Sequence, residues 1–169
     1  ENLLEWSRVQ SGQISYEPQN ISLTFMFNAV KNLYYQKLKE KGISLNFDFD
    51  PEYFAFADSN MTETILRNLI SNAIKFTNDF GLILISNEIL DDDVLIKIKD
   101  TGVGMDKKQI AKLFKIDQTH STIGTSGERG TGLGLMLCKE LVEKQGGKIW
   151  IESIPNTGTT FYFTLPKAK

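Results

Sequence analysis

The chain of 169 residues is 41% hydrophobic and 24% charged, the balance of a single domain with a buried core. No run approaches the ~18 apolar residues of a membrane helix, and 19 basic against 21 acidic side chains argue against a dominant nucleic-acid surface. One cysteine, Cys138, excludes an intrachain disulfide framework and fits a reducing compartment, and one histidine, His120, excludes a site built from several imidazoles.

The chain opens at Glu1 without Met and reads as an excised fragment. Residues 1–11 place Leu3, Leu4, Trp6 and Val9 at helical spacing before Gly12. A helix that short is marginal alone, so it reads as the end of a longer one. After a polar link through Pro18, Ser22 is the expected N-cap of a second helix. That helix carries apolar Leu23, Met26, Val30, Leu33, Tyr34 and Leu38 and closes at Gly42. Residues 43–49 alternate as a half-buried strand does. A third helix is predicted from Met61 to Phe76, with Asn60 and Glu63 spaced as a capping box. Residues 82–90 and 94–99 read as an antiparallel hairpin across the acidic tip 91–93. A short helix, 107–114, follows the cap Asp106. Residues 115–130 are polar and glycine-rich, without periodicity. A helix over 133–145 and two strands, 148–153 and 159–165, complete the chain. Hairpins between helices predict an antiparallel-rich sheet covered on one face by helices.

Seven of the 13 glycines fall within residues 102–134, as a phosphate-binding loop requires, although a flexible surface loop has the same composition. Asn68, Asn72 and Lys75 sit at i, i+4 and i+7, within about 60° of one helix face. Two amides and a lysine there offer carbonyl oxygens to a hard metal and a cation to phosphate, where a bland reading sees a solvated face. Leu66, Leu69, Ile70 and Ala73 lie broadly opposite and should pack inward. Asp100 ends a strand that otherwise reads as buried, just before Gly102 and Gly104, so its carboxylate needs a partner such as a ligand amino group. An aspartate opening an ordinary turn is the alternative. Gly130, Thr131, Gly132, Leu133 and Gly134 precede a helix whose N-terminus suits phosphate. Their spacing is neither G-x-G-x-x-G nor a Walker A loop.

Taken in order, NLISNAIKFT (68–77), DTGVGM (100–105), LF (113–114), GTGLGL (130–135) and GTTFYF (158–163) strongly resemble the ATP-binding domain of bacterial sensor histidine kinases. That family lies in the superfamily of gyrase B, Hsp90, histidine kinases and MutL. The stretch 113–135 is most similar to kinases of hybrid two-component systems. The opening dozen residues look like the end of the family's dimerisation and phosphoacceptor helix. The resemblance implies an α+β, two-layer sandwich of Bergerat type, with a mixed sheet and helices on one face. It divides the chain into a helix remnant (1–12), a linker (13–21) and a catalytic domain (22–169) with a lid at about 115–129. The polar lid offers few core anchors and should order on phosphate contacts.

By motif position the resemblance implies that Asn72 coordinates Mg²⁺ with Asn68 beside it, that Lys75 approaches the phosphates and that Phe76 borders the nucleotide. Asp100 would accept from the adenine amino group, with Gly102, Gly104 and Thr159 in the same pocket. The glycine run 130–134 would enclose the phosphates. Relatives often carry an arginine after the phenylalanine box; here Lys115 and Arg129 are the candidates for that contact. The implied activity is transfer of the γ-phosphoryl group of Mg-ATP to a histidine outside this chain. The partners would be the protein's own phosphoacceptor domain and a response-regulator receiver, in a homodimer, with this domain in the cytoplasm and the bacterial inner membrane the anchor open to the full-length protein. Neither nucleic acid nor direct membrane contact is expected. His120 reads as an exposed lid residue and Cys138 as a small core residue. An ATPase or clamp of the gyrase kind would hold a glutamate base where Asn68 stands. A serine kinase of the superfamily and a nucleotide-binding regulatory domain without transfer activity are the further alternatives.

Overall fold

The computed structural model describes residues 4, 7–8, 11–12, 14–50, 53–113, 123–128 and 132–168. The helix predicted over 1–11 falls mostly outside these residues, as do Phe114, Lys115, His120, Arg129, Gly130 and Thr131.

Strand β1 (Gln19–Ser22) leads directly into helix α1 (Leu23–Lys41). Ser22 caps the helix by accepting from the Phe25 N–H, and Gly42 closes it in the left-handed conformation, both as expected. The buried stripe is Leu23, Met26, Phe27, Val30 and Leu38. Leu33, expected inside, is instead exposed, because Phe27 turns the stripe to i, i+4 and i+7 from Leu23 and stacks on Phe49 at 4.4 Å.

Strands β2 (Ser44–Asp48) and β3 (Phe54–Ala57) precede helix α2 (Ser59–Phe76). The cap of α2 is Asp58, not Asn60. The Asp58 carboxylate accepts from the Asn60 and Met61 N–H groups, both at 3.0 Å, and its second oxygen accepts from the Glu17 N–H at 2.9 Å. A buried carboxylate holding three backbone donors outcompetes the amide two residues later. β1 and β3 pair antiparallel as a small sheet that sequence periodicity did not indicate. β1 falls partly within the stretch read as a linker.

Strands β4 (Leu82–Leu90) and β5 (Asp93–Asp100) form the expected hairpin, with residues 91–92 alone making the turn and Asp91 at φ 56°. Helix α3 (Lys107–Lys112) carries a capping box between Asp106 and Gln109. Helix α4 (Gly134–Lys144) and strands β6 (Ile149–Ile154) and β7 (Gly158–Pro166) follow. The main sheet has the order β2-β4-β5-β7-β6, with β2 parallel to β4 and every other pairing antiparallel.

Alternation sends Ile83, Ile85, Val94, Ile96, Ile98, Phe161, Phe163 and Leu165 to one face, where they are buried with Leu66, Leu69, Ile70 and Ala73 of α2 and Leu137 and Leu141 of α4. The opposite face carries Lys97 paired with Glu88 and Trp150 stacked on Tyr162. The result is the two-layer α+β sandwich with a mixed sheet that the motif resemblance implied. Asp100 stands on the helix-facing side of β5, paired in register with Ile83 and Thr159. No described helix is long and apolar enough to cross a membrane.

Candidate functional site

The site is assembled where β5 ends beneath the C-terminal half of α2. Asp100 is 3% exposed, and two backbone donors converge on one of its oxygens: Gly102 N–H at 2.8 Å and Thr159 N–H at 3.3 Å, both to Oδ1. Among the described residues no donor reaches Oδ2. Burial pushes the carboxyl up to about 6, against the two N–H bonds, which favour the charged form. A carboxylate with one oxygen held by the backbone and the other without a described donor and open to solvent is the chemistry expected opposite a ligand N–H.

The loop after Asp100 is pinned on both sides. Val103 N–H donates to the Phe76 carbonyl at 3.0 Å, Asn156 N–H to the Val103 carbonyl at 2.7 Å, and Met105 N–H to Ser153 Oγ at 2.8 Å. Ser153 Oγ also lies 2.7 Å from Thr159 Oγ1. These bonds explain the two glycines. A Cβ at Gly102 would fall on the Phe76 carbonyl and the Asp100 carboxylate, and one at Gly104 would fall on the Ile154 carbonyl. Both therefore serve close backbone packing that holds Asp100 in place.

On α2, Asn68, Asn72, Lys75 and Phe76 are half-buried while the opposite face is sealed in the core. Asn68 Nδ2 donates to the Thr64 carbonyl at 2.9 Å. No described residue hydrogen-bonds the Asn72 side chain, whose carbonyl oxygen remains available to a hard cation. Lys75 Nζ lies 4.8 Å from the Phe76 ring centroid; burial lowers its pKa, and the charge of Glu128 works in the other direction. Gly132 and Leu133 lead into α4, whose N-terminus begins at Gly134 with no side-chain cap. Its first N–H groups are the donors an anion would meet. Cys138 Sγ approaches the Ile65 carbonyl at 3.8 Å, which fastens α4 to α2. That buried thiol is pushed far above its usual range, so it is a core residue without nucleophilic character.

The structure thus joins Asp100, Gly102 and Thr159 through direct bonds, ties Phe76 to the same loop through Val103, and sets Asn68, Asn72 and Lys75 on one half-buried face. The chemistry fits Mg-ATP: an unmet carboxylate oxygen for an amino group, an uncommitted amide for a hard metal, and a lysine and an uncapped helix for phosphate. Three features had no sequence signal. Ser153 supports Thr159 and Met105. Lys41, at the end of α1, is buried beside Lys75. Residues 123–128, within the stretch expected to lack anchors, are instead bound to the end of α2, because Thr125 reaches the helix's last carbonyls.

The family model described as "Histidine kinase-, DNA gyrase B-, and HSP90-like ATPase" matches residues 57–169. The chain is 34% identical over 167 residues to cyanobacterial phytochrome A of Nostoc sp. PCC 7120, covering 98% of this chain and 21% of that protein. It is 31% identical over 170 residues to the sensor histidine kinase RcsC of Escherichia coli K12, covering 98% and 18%. It therefore spans about a fifth of the length of these relatives. Among solved structures, the catalytic domain of histidine kinase ThkA superposes with a TM-score of 0.77 at 30% identity, covering 89% of this chain and 96% of that one. ThkA in complex with response regulator protein TrrA gives 0.77 at 25% identity, covering 98% and 47%.

Proposed function

This chain belongs to the histidine kinase-, DNA gyrase B- and HSP90-like ATPase family, with the fold of histidine kinase catalytic domains, and on that premise we propose how its residues bind Mg-ATP and pass on the γ-phosphoryl group. The observation that carries the reading is Asp100, buried with Oδ1 saturated and Oδ2 unmet. An ionised carboxylate only accepts, so it suits the exocyclic amino group of adenine. Gly102, Gly104 and Thr159 hold it there, and Phe76 borders the base.

Asn72 would hold Mg²⁺ through its carbonyl oxygen with Asn68 beside it. The metal's contribution, when bound, is neutralisation of phosphate charge. Lys75 adds a cation on the same face. Gly130, Thr131, Gly132, Leu133 and Gly134 bring the α4 N-terminus to the phosphates, with Lys115 and Arg129 the side chains proposed to reach the γ-phosphate. Phosphoryl transfer depends on positioning and electrostatics rather than covalent help from the protein. These residues hold and orient the donor, and the acceptor is a histidine on a separate phosphoacceptor domain.

In this reading residues 1–12 are the end of that domain's helix, a linker follows, and the catalytic domain runs to residue 169 and takes in β1, which packs against β3. Its onward partner is a response-regulator receiver, as the ThkA–TrrA complex suggests by analogy. The domain acts in the cytoplasm, as part of a homodimer in the full-length protein. Hydrolysis is disfavoured, because Asn68 stands where superfamily ATPases hold a glutamate and an amide takes no proton from water.

Labelled ATP tests the proposal. The chain alone should bind ATP without autophosphorylation or steady turnover, a missing general base being worth roughly 10²–10⁴ in rate. Adding a separate phosphoacceptor-domain fragment should place acid-labile, base-stable label on that fragment and none on His120. Label on His120, or steady hydrolysis abolished by Asn72→Ala, would contradict it.

A further inference from the structure

The last carbonyls of a helix have no partner within it, and those of α2 are met from outside. Lys41 Nζ donates to the Ile74 carbonyl at 2.8 Å and lies 3.4 Å from that of Lys75. Thr125 N–H donates to the Lys75 carbonyl at 3.0 Å, and the Thr125 hydroxyl lies 3.1 Å from both the Lys75 and Thr77 carbonyls. Lys41 closes the group by donating to Thr125 Oγ1 at 2.6 Å and pairing with Glu128 at 3.5 Å. The hydroxyl therefore accepts from Lys41 while its single proton serves one helix carbonyl.

Lys41 is 8% exposed. An ammonium so buried persists only where partners compensate, and here they are the negative end of α2 and the acidic turn 123–128. The turn is itself tightly made: Gly124 N–H donates to the Glu128 carbonyl at 2.9 Å, Gly127 N–H to the Gly124 carbonyl at 3.0 Å, and Ser126 N–H to Glu128 Oε2 at 2.9 Å. It also lies against Lys75 so closely that a Cβ on Gly124 would strike the Lys75 side chain and come within 2.9 Å of its carbonyl.

We infer that Lys41 is a positioning residue for the nucleotide: it latches the turn 123–128 to the end of the helix that presents Asn72, Lys75 and Phe76. Four residues further on, the chain reaches Gly132 and the uncapped N-terminus of α4. The latch therefore fixes the turn 123–128 relative to Lys75 before any phosphate arrives. Lys41 itself touches no reacting atom. Its effect falls on the phosphate side of the site and leaves the Asp100 side alone. The inference rests on the proposed reading of this face as an ATP site.

The test compares Lys41→Met, Thr125→Val and the double variant in calorimetry with ATP and with adenosine, alongside amide exchange of residues 123–128. Each single variant should weaken ATP about tenfold, the size of one charged hydrogen bond, and leave adenosine binding unchanged. The double variant should be no weaker than the worse single one, as for two halves of one interaction. Exchange at Gly124 and Thr125 should accelerate without change in the central strands. If Lys41→Met does not fold, Gly124→Ala and Thr125→Val, both on the turn, make the same comparison. Equal losses for ATP and adenosine, additive effects, or unchanged exchange in the turn would overturn the latch. Failure of the unaltered chain to bind ATP would instead overturn the proposed function, and the exchange measurement would still decide the latch.

Discussion

Burial sets Asp100 apart from an ordinary carboxylate at a strand end. Its pKa is pushed up to about 6, whereas an unfolded aspartate titrates near 3.8. The folded chain therefore holds its proton more tightly than the unfolded chain does. This contribution to stability is fully present below about pH 4 and is lost as pH rises through about 6. At neutral pH the charge costs up to about 3 kcal/mol. Asp100→Asn keeps an acceptor for the Gly102 and Thr159 N–H groups and removes the charge. It should raise the urea midpoint at pH 7 and flatten the pH dependence of stability between 4 and 6. Nucleotide binding has the opposite sign, because the adenine amino group selects the ionised form. Adenosine affinity should be level above pH 7 and fall below 6, and the Asn variant should lose that dependence. A variant no more stable than the parent at pH 7 would show that the charge is not strained by burial.

Helix α2 carries both jobs of the fold on opposite faces. Ile65, Leu66, Leu69, Ile70 and Ala73 seal the core, while Asn68, Asn72 and Lys75 look out half-buried. Asn72→Ala removes one carbonyl from the exposed half and disturbs no hydrogen bond among the described residues. Fold stability should change by less than about 0.5 kcal/mol, as for a surface substitution. The Mg²⁺-dependent part of ATP affinity should disappear while Mg²⁺-free binding persists. Titrations with and without the metal check this, and an unaltered Mg²⁺ effect would remove Asn72 from the metal shell.

Helices α1, α2 and α4 were legible because each shows a 3.6-residue apolar period, and α3 was legible by its cap Asp106. The hairpin β4–β5 was legible by strict alternation around an acidic turn. The small sheet was not, since β1 and β3 are four residues each and gain their order from pairing with a segment about 35 residues away. The cap of α2 was misplaced for a related reason. Asp58 is selected by the distant Glu17 N–H and by Gln145, which accepts the Asp58 N–H at 2.9 Å. Local spacing favours Asn60 equally well.

At the scale of the whole molecule, the α+β sandwich places the end of β5, the end of α2 and the turn between β6 and β7 at one site. The candidate residues were readable as three weak patterns whose order made them specific. What the sequence could not show was the framework behind them. Ser153 bridges Thr159 and Met105, and a lysine before a glycine at the end of α1 looks like any solvated helix terminus. Both acquire meaning only from partners brought together by folding.

The central claim is that the pocket around Asp100 reads adenine through the unmet oxygen of a buried carboxylate. Calorimetry of the chain with Mg-ATP and Mg-GTP tests it most directly. Guanine presents a carbonyl oxygen where adenine presents an amino group, and a mismatched buried polar pair is worth up to roughly 10⁴ in discrimination. The account predicts that ATP binds and GTP binds weakly or not at all, with Asp100→Ala erasing the difference. Equal affinities for the two nucleotides in the unaltered chain would contradict it.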